Sequence, residues 1–202
     1  MQNLKTELNI QNLTLMYVGN LESYQGIDLL LESFALVVNQ TAQADLVIIG
    51  GDSADILKYQ IKTKELGIAH KVHFCGSQPT NHLGLYLAQA DILISPRIKG
   101  KNTPMKVYSY LDSGKPVVAT DLLTHTQVMN NQVAILAKPN AEDFSQGILS
   151  LINDQNLRLK LGRAGKQLVQ EKHSYTAFSQ KLNTLYDYLR LELSKNSELF
   201  IR

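Results

Sequence analysis

Four cationic side chains crowd one short stretch of the sequence. Arg97, Lys99, Lys101 and Lys106 fall within ten residues, after a short apolar run and around a Thr-Pro pair. Guanidinium and ammonium groups brought together in this way bind anions, most simply phosphate. The net charge of the whole chain is only +2, so the positive charge is concentrated locally. The pattern predicts an anion site at this loop.

The Thr-Pro pair strengthens that prediction. Thr103 is a favoured N-cap residue and Pro104 suits the first position of a helix, so we predict a helix that begins at Pro104. Its free N–H groups and positive dipole end would then face the same anion. The alternative is that the pair only caps a helix and that the lysines are solvated.

Apolar runs and amphipathic runs alternate along the chain, as in βαβ units. The pattern predicts a doubly wound α/β fold: a six-stranded parallel sheet, Rossmann-like, in the order 3-2-1-4-5-6, with helices on both faces and extra C-terminal helices. The predicted strands are Leu13–Val18, Leu46–Ile49, Val72–Cys75, Asp91–Ile94, Pro116–Ala119 and Val133–Leu136, and the predicted helices are Ile27–Val38, Ala54–Leu66, Thr80–Ala90, Pro104–Asp112, Ala141–Ile152, Asn156–Glu171 and Ser174–Leu193.

Composition narrows the class of protein. With 44% apolar and 19% charged residues, the 202-residue chain is typical of a folded domain and not of disorder. We expect a single domain over residues 1–194 and a loose tail over residues 195–202. The weak net charge argues against nucleic acid as a partner, and the absence of a long apolar run argues against a membrane span. We expect a cytoplasmic protein without a metal site, since one cysteine and five scattered histidines form no ligand cluster.

The predicted strand order also predicts where a ligand binds. The order reverses between strands 1 and 4, and ligands of doubly wound sheets bind outside the carboxyl ends of the strands at such a point. The two loops there are Gly19–Gln25 and Ser95–Thr103, and the second carries the cations. Neither a GxGxxG motif nor a P-loop motif is present, so a nicotinamide or P-loop nucleotide site is not favoured.

Taken in order, these segments resemble the C-terminal, donor-binding domain of the group 1 (family four) retaining glycosyltransferases, which have two Rossmann-like domains (the GT-B fold). The resemblance runs from about Leu13 to about Tyr188. The segments that carry it are "YVGNLESYQGIDLLLESF", "LVIIGG", "VHFCGSQPTNHLGLYLAQADILISP", "TPMKVYSYLDSGKPVVATD" and "AILAKPNAEDFSQGILSLINDQNLRLKLGRAGKQLV".

The resemblance implies a nucleotide-diphosphate sugar as the donor substrate, UDP- or GDP-linked, and no cofactor. A hexose-type sugar would pass to an unknown acceptor: a glycan, a lipid or a small molecule. The base would lie at the loop Gly76–Gln78, and the diphosphate at the basic groups and the helix N-terminus. The resemblance further implies that the acceptor-binding N-terminal lobe is absent from this chain, so that the chain alone is inactive; the absent lobe would make any peripheral membrane contact.

The sequence departs from the family pattern at the positions that bind the donor. Asn20 and Gln25 stand where the family has phosphate-binding cations, and Lys101 and Ser109 stand where it has two glutamates. We interpret the cations around Pro104 as replacements for the lost ones. No catalytic residue is assigned, and the candidate donor-binding residues are Gly19, Asn20, Gln25, Gly76, Ser77, Arg97, Lys101, Asn102, Thr103, Pro104, Lys106 and Ser109.

Two alternatives stay open at this point. The missing glutamates favour a non-catalytic nucleotide-sugar binding or interaction domain, and a nucleotide-sugar epimerase would share the substrate but is disfavoured by the missing GxGxxG motif. His125, in the loop after strand 5, we interpret as a surface or capping residue, and the other histidines we assign no chemistry.

Overall fold

The computed structural model describes residues 3–199, with side-chain surroundings to residue 194. The strands are β1 Leu13–Val18, β2 Ala44–Ile49, β3 Val72–Phe74, β4 Ile92–Ser95, β5 Val117–Thr120 and β6 Ile135–Ala137. The α-helices are α1 Leu4–Glu7, α2 Ile27–Val38, α3 Ser53–Glu65, α4 Leu83–Gln89, α5 Lys106–Asp112, α6 Leu123–Thr126, α7 Ala141–Asn153, α8 Gln155–Lys172 and α9 Tyr175–Leu199.

The six strands form one parallel sheet in the order β3-β2-β1-β4-β5-β6. The predicted fold class and strand order are therefore confirmed. β1 and β2 have the most extensive pairing, from Leu13 opposite Ala44 to Val18 opposite Ile49. β1 also pairs with β4, as the reversal of strand order requires.

The core has two halves, one on each face of the sheet. Successive side chains of a strand point to opposite faces, and β1 shows this directly: Leu15 and Tyr17 pack with Phe34 of α2, whereas Met16 packs with Tyr110 of α5. All five side chains are fully buried. Both faces are covered by helices, which explains why the strands are almost continuously apolar.

The predicted helix start at Pro104 is wrong. α5 begins at Lys106 after Met105, and no side chain caps it. The Val107 N–H donates to the Pro104 carbonyl at 3.0 Å, so Pro104 closes a turn that precedes the helix. Thr103 is therefore not the N-cap, and the helix that remains has only seven residues.

Helix starts elsewhere differ less. The segment predicted to begin as a helix at Thr80 is a 3-10 turn over Thr80–His82, followed by α4. α9 continues as helix to Leu199, so the backbone of residues 195–199 is helical. Residues 200–202 of the predicted loose tail lie outside the described residues, and the looseness of that tail stays a prediction.

Candidate functional site

A crevice opens at the carboxyl edge of the sheet, between the loops that follow the paired strands β1 and β4. The loops after these strands are joined by a hydrogen bond from the Ile98 N–H to the Tyr24 carbonyl, 3.0 Å long. Gly26 makes this approach possible: its φ is +76°, and a Cβ there would overlap the Pro96 carbonyl oxygen. A left-handed conformation and a close backbone contact together require glycine. The two loops thus form one connected rim.

The crevice leads into an open cleft of about 460 Å³. The Gly50 N–H donates to the Gly76 carbonyl at 2.7 Å, and the Ser77 hydroxyl donates to the Gly51 carbonyl at 3.1 Å, so the loops after β2 and β3 form a backbone-rich wall. Three of the lining side chains are carboxylates. The cleft is lined by Val18, Gly19, Asn20, Glu22, Ile49, Gly50, Gly51, Asp52, Asp55, Ser77, Gln78 and Thr80.

Lys106, the first residue of α5, reaches beneath the loop after β1. Its Nζ donates to Oε1 of Gln25 at 3.2 Å and lies 3.9 Å from the centre of the Tyr17 ring. A Cβ on Gly19 would lie 2.9 Å from that nitrogen, so the glycine leaves room for the amine. Burial, followed by the charge of Arg97, lowers the pKa of Lys106 to about 7.

Arg97 lies on the opposite rim and braces its own loop. Its Nε donates to the Lys99 carbonyl at 2.7 Å, and its guanidinium lies 5.1 Å from the centre of the Tyr24 ring. The guanidinium also covers Gly100, whose φ is +120°. The backbone carbonyl of Arg97 accepts a 2.6 Å hydrogen bond from the Thr120 hydroxyl, which connects the loop to the end of β5.

His125 is fully buried, so its prediction as a surface or capping residue is wrong. Its Nε2 lies 2.8 Å from the Ser95 hydroxyl, and its Nδ1 lies 3.0 Å from both the carbonyl and the hydroxyl of Thr120. An Nδ1–H that donates to this carbonyl leaves Nε2 to accept from Ser95. Burial lowers the pKa of His125 to about 4. The neutral ring therefore ties the ends of β4 and β5 together beneath the cationic loop.

The other predicted site residues do not all lie in the crevice. Lys101 and Asn102 are exposed, and the carbonyl of Lys101 accepts a 2.7 Å hydrogen bond from Nε2 of Gln127. Asn20 is exposed on the rim, where its amide contacts Glu22 at 3.0 Å. Ser109 lines a different groove, between α4 and α5, with Leu83, Gly84, Leu87, Ala88, Asp112 and Ser113. Of the candidate residues, Gly19, Asn20 and Ser77 line the cleft, Gln25 and Lys106 meet beside Gly19, and Ser109 lies in the other groove.

Comparison with known proteins identifies the family. The sequence profile of the family described as "Glycosyl transferases group 1" matches residues 2–168. The chain belongs to the group 1 glycosyltransferases. The sequence resemblance to this family is therefore confirmed.

The relatives of this group 1 glycosyltransferase are distant and longer. The D-inositol 3-phosphate glycosyltransferase of Corynebacterium aurimucosum is 25% identical over 185 residues, which cover 88% of this chain and 44% of the relative. The chain thus spans less than half the length of this relative.

Solved structures agree on the fold. The Anabaena protein HepE in complex with UDP superposes with a TM-score of 0.79 at 18% identity, covering 91% of this chain and 51% of that one. The C-terminal domain of a group 1 family glycosyl transferase from Francisella tularensis superposes with a TM-score of 0.75 at 18% identity, covering 84% of this chain and 91% of that domain. The fold is therefore that of a glycosyltransferase C-terminal domain.

Two tyrosines at the crevice were not predicted as site residues from the sequence. The Tyr17 hydroxyl donates to the Asn20 carbonyl at 2.6 Å and its ring supports Lys106, whereas Tyr24 supports Arg97. In the sequence, a tyrosine stands on each side of Gly19, which follows β1. Tyr17 is part of an apolar strand pattern, so the sequence alone does not mark it as a site residue.

Within residues 3–199, no group of three or more His, Cys, Asp or Glu side chains could hold a metal ion. Over the same residues, no helix is both long and apolar enough to cross a membrane.

Proposed function

We propose that this chain is the donor-binding half of a two-lobed, retaining, cytoplasmic glycosyltransferase, which transfers a hexose-type sugar from a UDP- or GDP-linked donor. Membership of the group 1 family supports the reaction class. The structural neighbour HepE was solved with UDP and with UDP-glucose, which supports a nucleotide sugar as the donor. The acceptor is a glycan, a lipid or a small molecule, and its class is left open.

The observation that carries the proposal is a pair of cations without counter-ions. Among the described residues, no carboxylate forms an ion pair with Lys106 or Arg97, although both lie at the crevice and repel each other. Like charges placed together with no partner cost folding free energy. A bound diphosphate would supply the missing negative charge and accept charge-assisted hydrogen bonds.

The position of Lys106 fits a relocated phosphate ligand. By the family resemblance, Gln25 stands where a phosphate-binding lysine is usual. Lys106 brings an amine to the Oε1 of that same side chain, from the other wall of the crevice. We therefore assign the lost role at position 25 to Lys106, and we retain Gly19, whose missing side chain leaves room for the amine.

The carboxylates that line the cleft would favour one orientation of the donor. Asp52 and Asp55 follow β2 and Glu22 lies in the loop after β1; all three line the cleft, where they would repel a diphosphate but accept hydrogen bonds from hydroxyl or base N–H groups. The diphosphate would accordingly lie over Gly19 and Lys106, and the nucleoside would lie towards Gly76 and Ser77.

Exposed apolar side chains on α9 are consistent with a second lobe that packs against this helix. Phe178 is 59% exposed and Leu185 is 52% exposed on α9, which packs mainly on α8. Large apolar side chains left in water on one helix indicate a docking surface. Since the chain spans 44% of the Corynebacterium relative, we propose that the acceptor lobe covers this helix and that residues 1–194 alone do not transfer sugar.

Calorimetric titration of the chain with UDP, GDP and ADP tests the proposal. We expect at least one nucleotide to bind, and Lys106→Met to weaken that binding by about one to two decades, the worth of one charge-assisted hydrogen bond. Lys99→Met, in the exposed part of the same loop, is the matched control and should change affinity less than threefold. Absence of heat with all three nucleotides, or equal loss in both variants, would contradict the donor site.

A second function is favoured by one observation. Lys101 and Ser109 replace the two glutamates that the family resemblance implies, so the chain can bind nucleotide sugars without supporting transfer. The two functions differ in whether the bound nucleotide sugar is consumed. If this second function holds, the chain joined to a relative's N-terminal lobe should bind the donor but release no nucleotide diphosphate in the presence of any acceptor class.

A further inference from the structure

The Lys106 amine is enclosed by groups that cannot neutralise it. The Gln25 amide oxygen lies at 3.2 Å and the Tyr17 ring centre at 3.9 Å, and Gly19 is so near that a Cβ there would lie 2.9 Å from the amine. Amide oxygens and aromatic faces stabilise an ammonium group only weakly compared with a carboxylate. The free site therefore holds this amine in surroundings that disfavour its charge.

Among the residues that the structure describes, the titratable and charged groups around the amine come from four elements, and none is an anion. Tyr17 of β1 and Tyr110 of α5 stay neutral phenols, because burial raises the pKa of each far above its usual value. His125 of α6 stays neutral, because burial lowers its pKa to about 4. Arg97 of the loop after β4 is positive. Within the described part of the chain, the formal charge that acts on the amine is thus the repulsive one of Arg97.

We infer that binding of a diphosphate in the crevice is coupled to the uptake of one proton by Lys106. This inference rests on the donor site proposed above. The proton comes from the solvent and its buffer and is held on the Lys106 Nζ, while no covalent bond of the donor changes. Binding and protonation then favour each other reciprocally, since each stabilises the state that the other requires.

The coupling sets the direction of the pH dependence. The free amine titrates near pH 7, because burial and then Arg97 lower its pKa, and a bound anion raises that value. Below this pH the amine is already charged, so affinity should not vary on its account. Above pH 7 affinity should fall by about tenfold per pH unit, until the pKa of the bound state is reached.

Calorimetry in two buffers measures the proton directly. UDP-glucose is titrated into the chain at pH 8.0 in Tris and in HEPES, whose ionisation enthalpies differ, and GDP-mannose is the second probe. A nucleotide sugar has a diphosphate esterified at both ends, so it lacks the phosphate group that titrates near pH 6. We expect an uptake of about 0.5–0.9 proton per site, since an amine of pKa 7 is mostly neutral at pH 8.

Lys106→Arg separates Lys106 from other proton acceptors. Arginine keeps the charge but does not deprotonate in this pH range, so the variant should bind UDP-glucose with no proton uptake. Lys99→Arg is the matched control and should take up protons as the unsubstituted chain does. The two-buffer titration of the unsubstituted chain tests the coupling even if a variant fails to fold.

The outcomes distinguish this inference from the proposed function. Failure of both probes to bind contradicts the donor site itself. Binding of UDP-glucose with equal heats in the two buffers contradicts only the coupling, and uptake that persists in Lys106→Arg assigns the proton to another group and overturns the role of Lys106.

Discussion

Lys106 and Gln25 meet across the crevice, where the Nζ of Lys106 lies 3.2 Å from the Oε1 of Gln25. The two residues are 81 positions apart in sequence and come from the loop after β1 and the start of α5. One contact thus joins the loop after β1 to the helix after β4, at the point where the strand order reverses. By the family resemblance, Gln25 stands where a cation is usual, so this contact brings the Lys106 amine to that position.

Lys106→Met should stabilise the chain in the absence of ligand. A buried ammonium group without a counter-ion is removed, and the methionine thioether can lie against the Tyr17 ring face that the ammonium group now occupies. Because the pKa of Lys106 is lower in the folded than in the unfolded state, the gain is largest below pH 7 and shrinks as pH rises towards 10. We expect about 1–2 kcal/mol at pH 6.5, or a melting temperature higher by about 2–8 °C.

The matching loss of function makes this prediction specific. Lys106→Met should lower nucleotide affinity while it raises stability, which is typical of strain stored at a functional site. Lys99→Met should leave the melting temperature within about 2 °C. A lower melting temperature for Lys106→Met, with affinity unchanged, would make Lys106 a structural residue.

Arg97→Ala should loosen the cationic loop. The side chain donates to the Lys99 carbonyl and stacks near Tyr24, so its removal frees the backbone of residues 98–103. Hydrogen exchange in this segment should accelerate by about tenfold, with a loss of global stability below about 1 kcal/mol. Lys138→Ala, which removes an exposed cation elsewhere, is the control. Unchanged exchange in the loop would contradict the bracing role.

His125 should make the chain sensitive to acid. Its pKa is about 4 in the folded state, whereas an unfolded histidine titrates near 6.5, so the unfolded state binds more protons between these values. The free energy of unfolding should fall by about 2–3 kcal/mol as pH drops from 6.5 to 4.

His125→Asn should remove most of that acid dependence and lower stability at pH 7, because the bonds to Ser95 and Thr120 are lost. Urea unfolding at a series of pH values measures both effects. His70→Asn, at an exposed position, is the control and should retain the acid dependence. An identical acid dependence in His125→Asn would contradict the assignment.

Much of the fold could be predicted because its signals are local. Leu13–Val18 and Ile27–Val38 were predicted with the bounds that the structure shows, since a continuous apolar run and a helical period stand out in a short window. Alternation of strands and helices predicts a doubly wound sheet, and the order 3-2-1-4-5-6 is the usual one for such a sheet. The crevice followed in turn, because its position depends on strand order alone.

The side-chain partners could not be predicted in the same way. Thr103 and Pro104 match the rules for a helix start, but the turn closed by the Pro104 carbonyl delays the helix by two residues. His125 lies on a helix of four residues, too short for any period to appear. Whether Lys106 points to solvent or to Gln25 depends on contacts between distant segments, which no local pattern contains.

Gly26→Ala should destabilise the rim of the crevice. Alanine disfavours the left-handed conformation at this position, and its Cβ would overlap the Pro96 carbonyl oxygen. We expect a loss of about 2–4 kcal/mol in the free energy of unfolding. Gly84→Ala is the opposite control: it lies on α4 with open space around it, so it should stabilise by about 0.5–1 kcal/mol. Equal effects of the two substitutions would show that the approach of the two loops is not tight.

Ser109→Glu tests whether the family correspondence at this position holds. The resemblance implies that a glutamate here grips the ribose hydroxyls, yet Ser109 lines the groove between α4 and α5 rather than the cleft. A glutamate side chain is longer than that of serine by one methylene group and a carboxylate carbon, and we expect it to extend from α5 towards a nucleoside at Ser77. One charge-assisted hydrogen bond, reduced by repulsion from Asp112 one turn along the helix, should raise UDP affinity by about fivefold to tenfold.

The chemical reason for that gain can be isolated with a modified ligand. If the carboxylate accepts hydrogen bonds from the ribose, the gain should disappear when 2′-deoxyuridine diphosphate replaces UDP, because one of the two hydroxyl donors is removed. Ser109→Gln has the same length without the charge, so it should gain at most about twofold, since a neutral hydrogen bond is weaker than a charged one. Unchanged affinity for UDP in Ser109→Glu would mean that the nucleoside lies away from α5. The missing glutamate would then have no bearing on donor binding, and Lys106 with Arg97 would be the principal donor ligands.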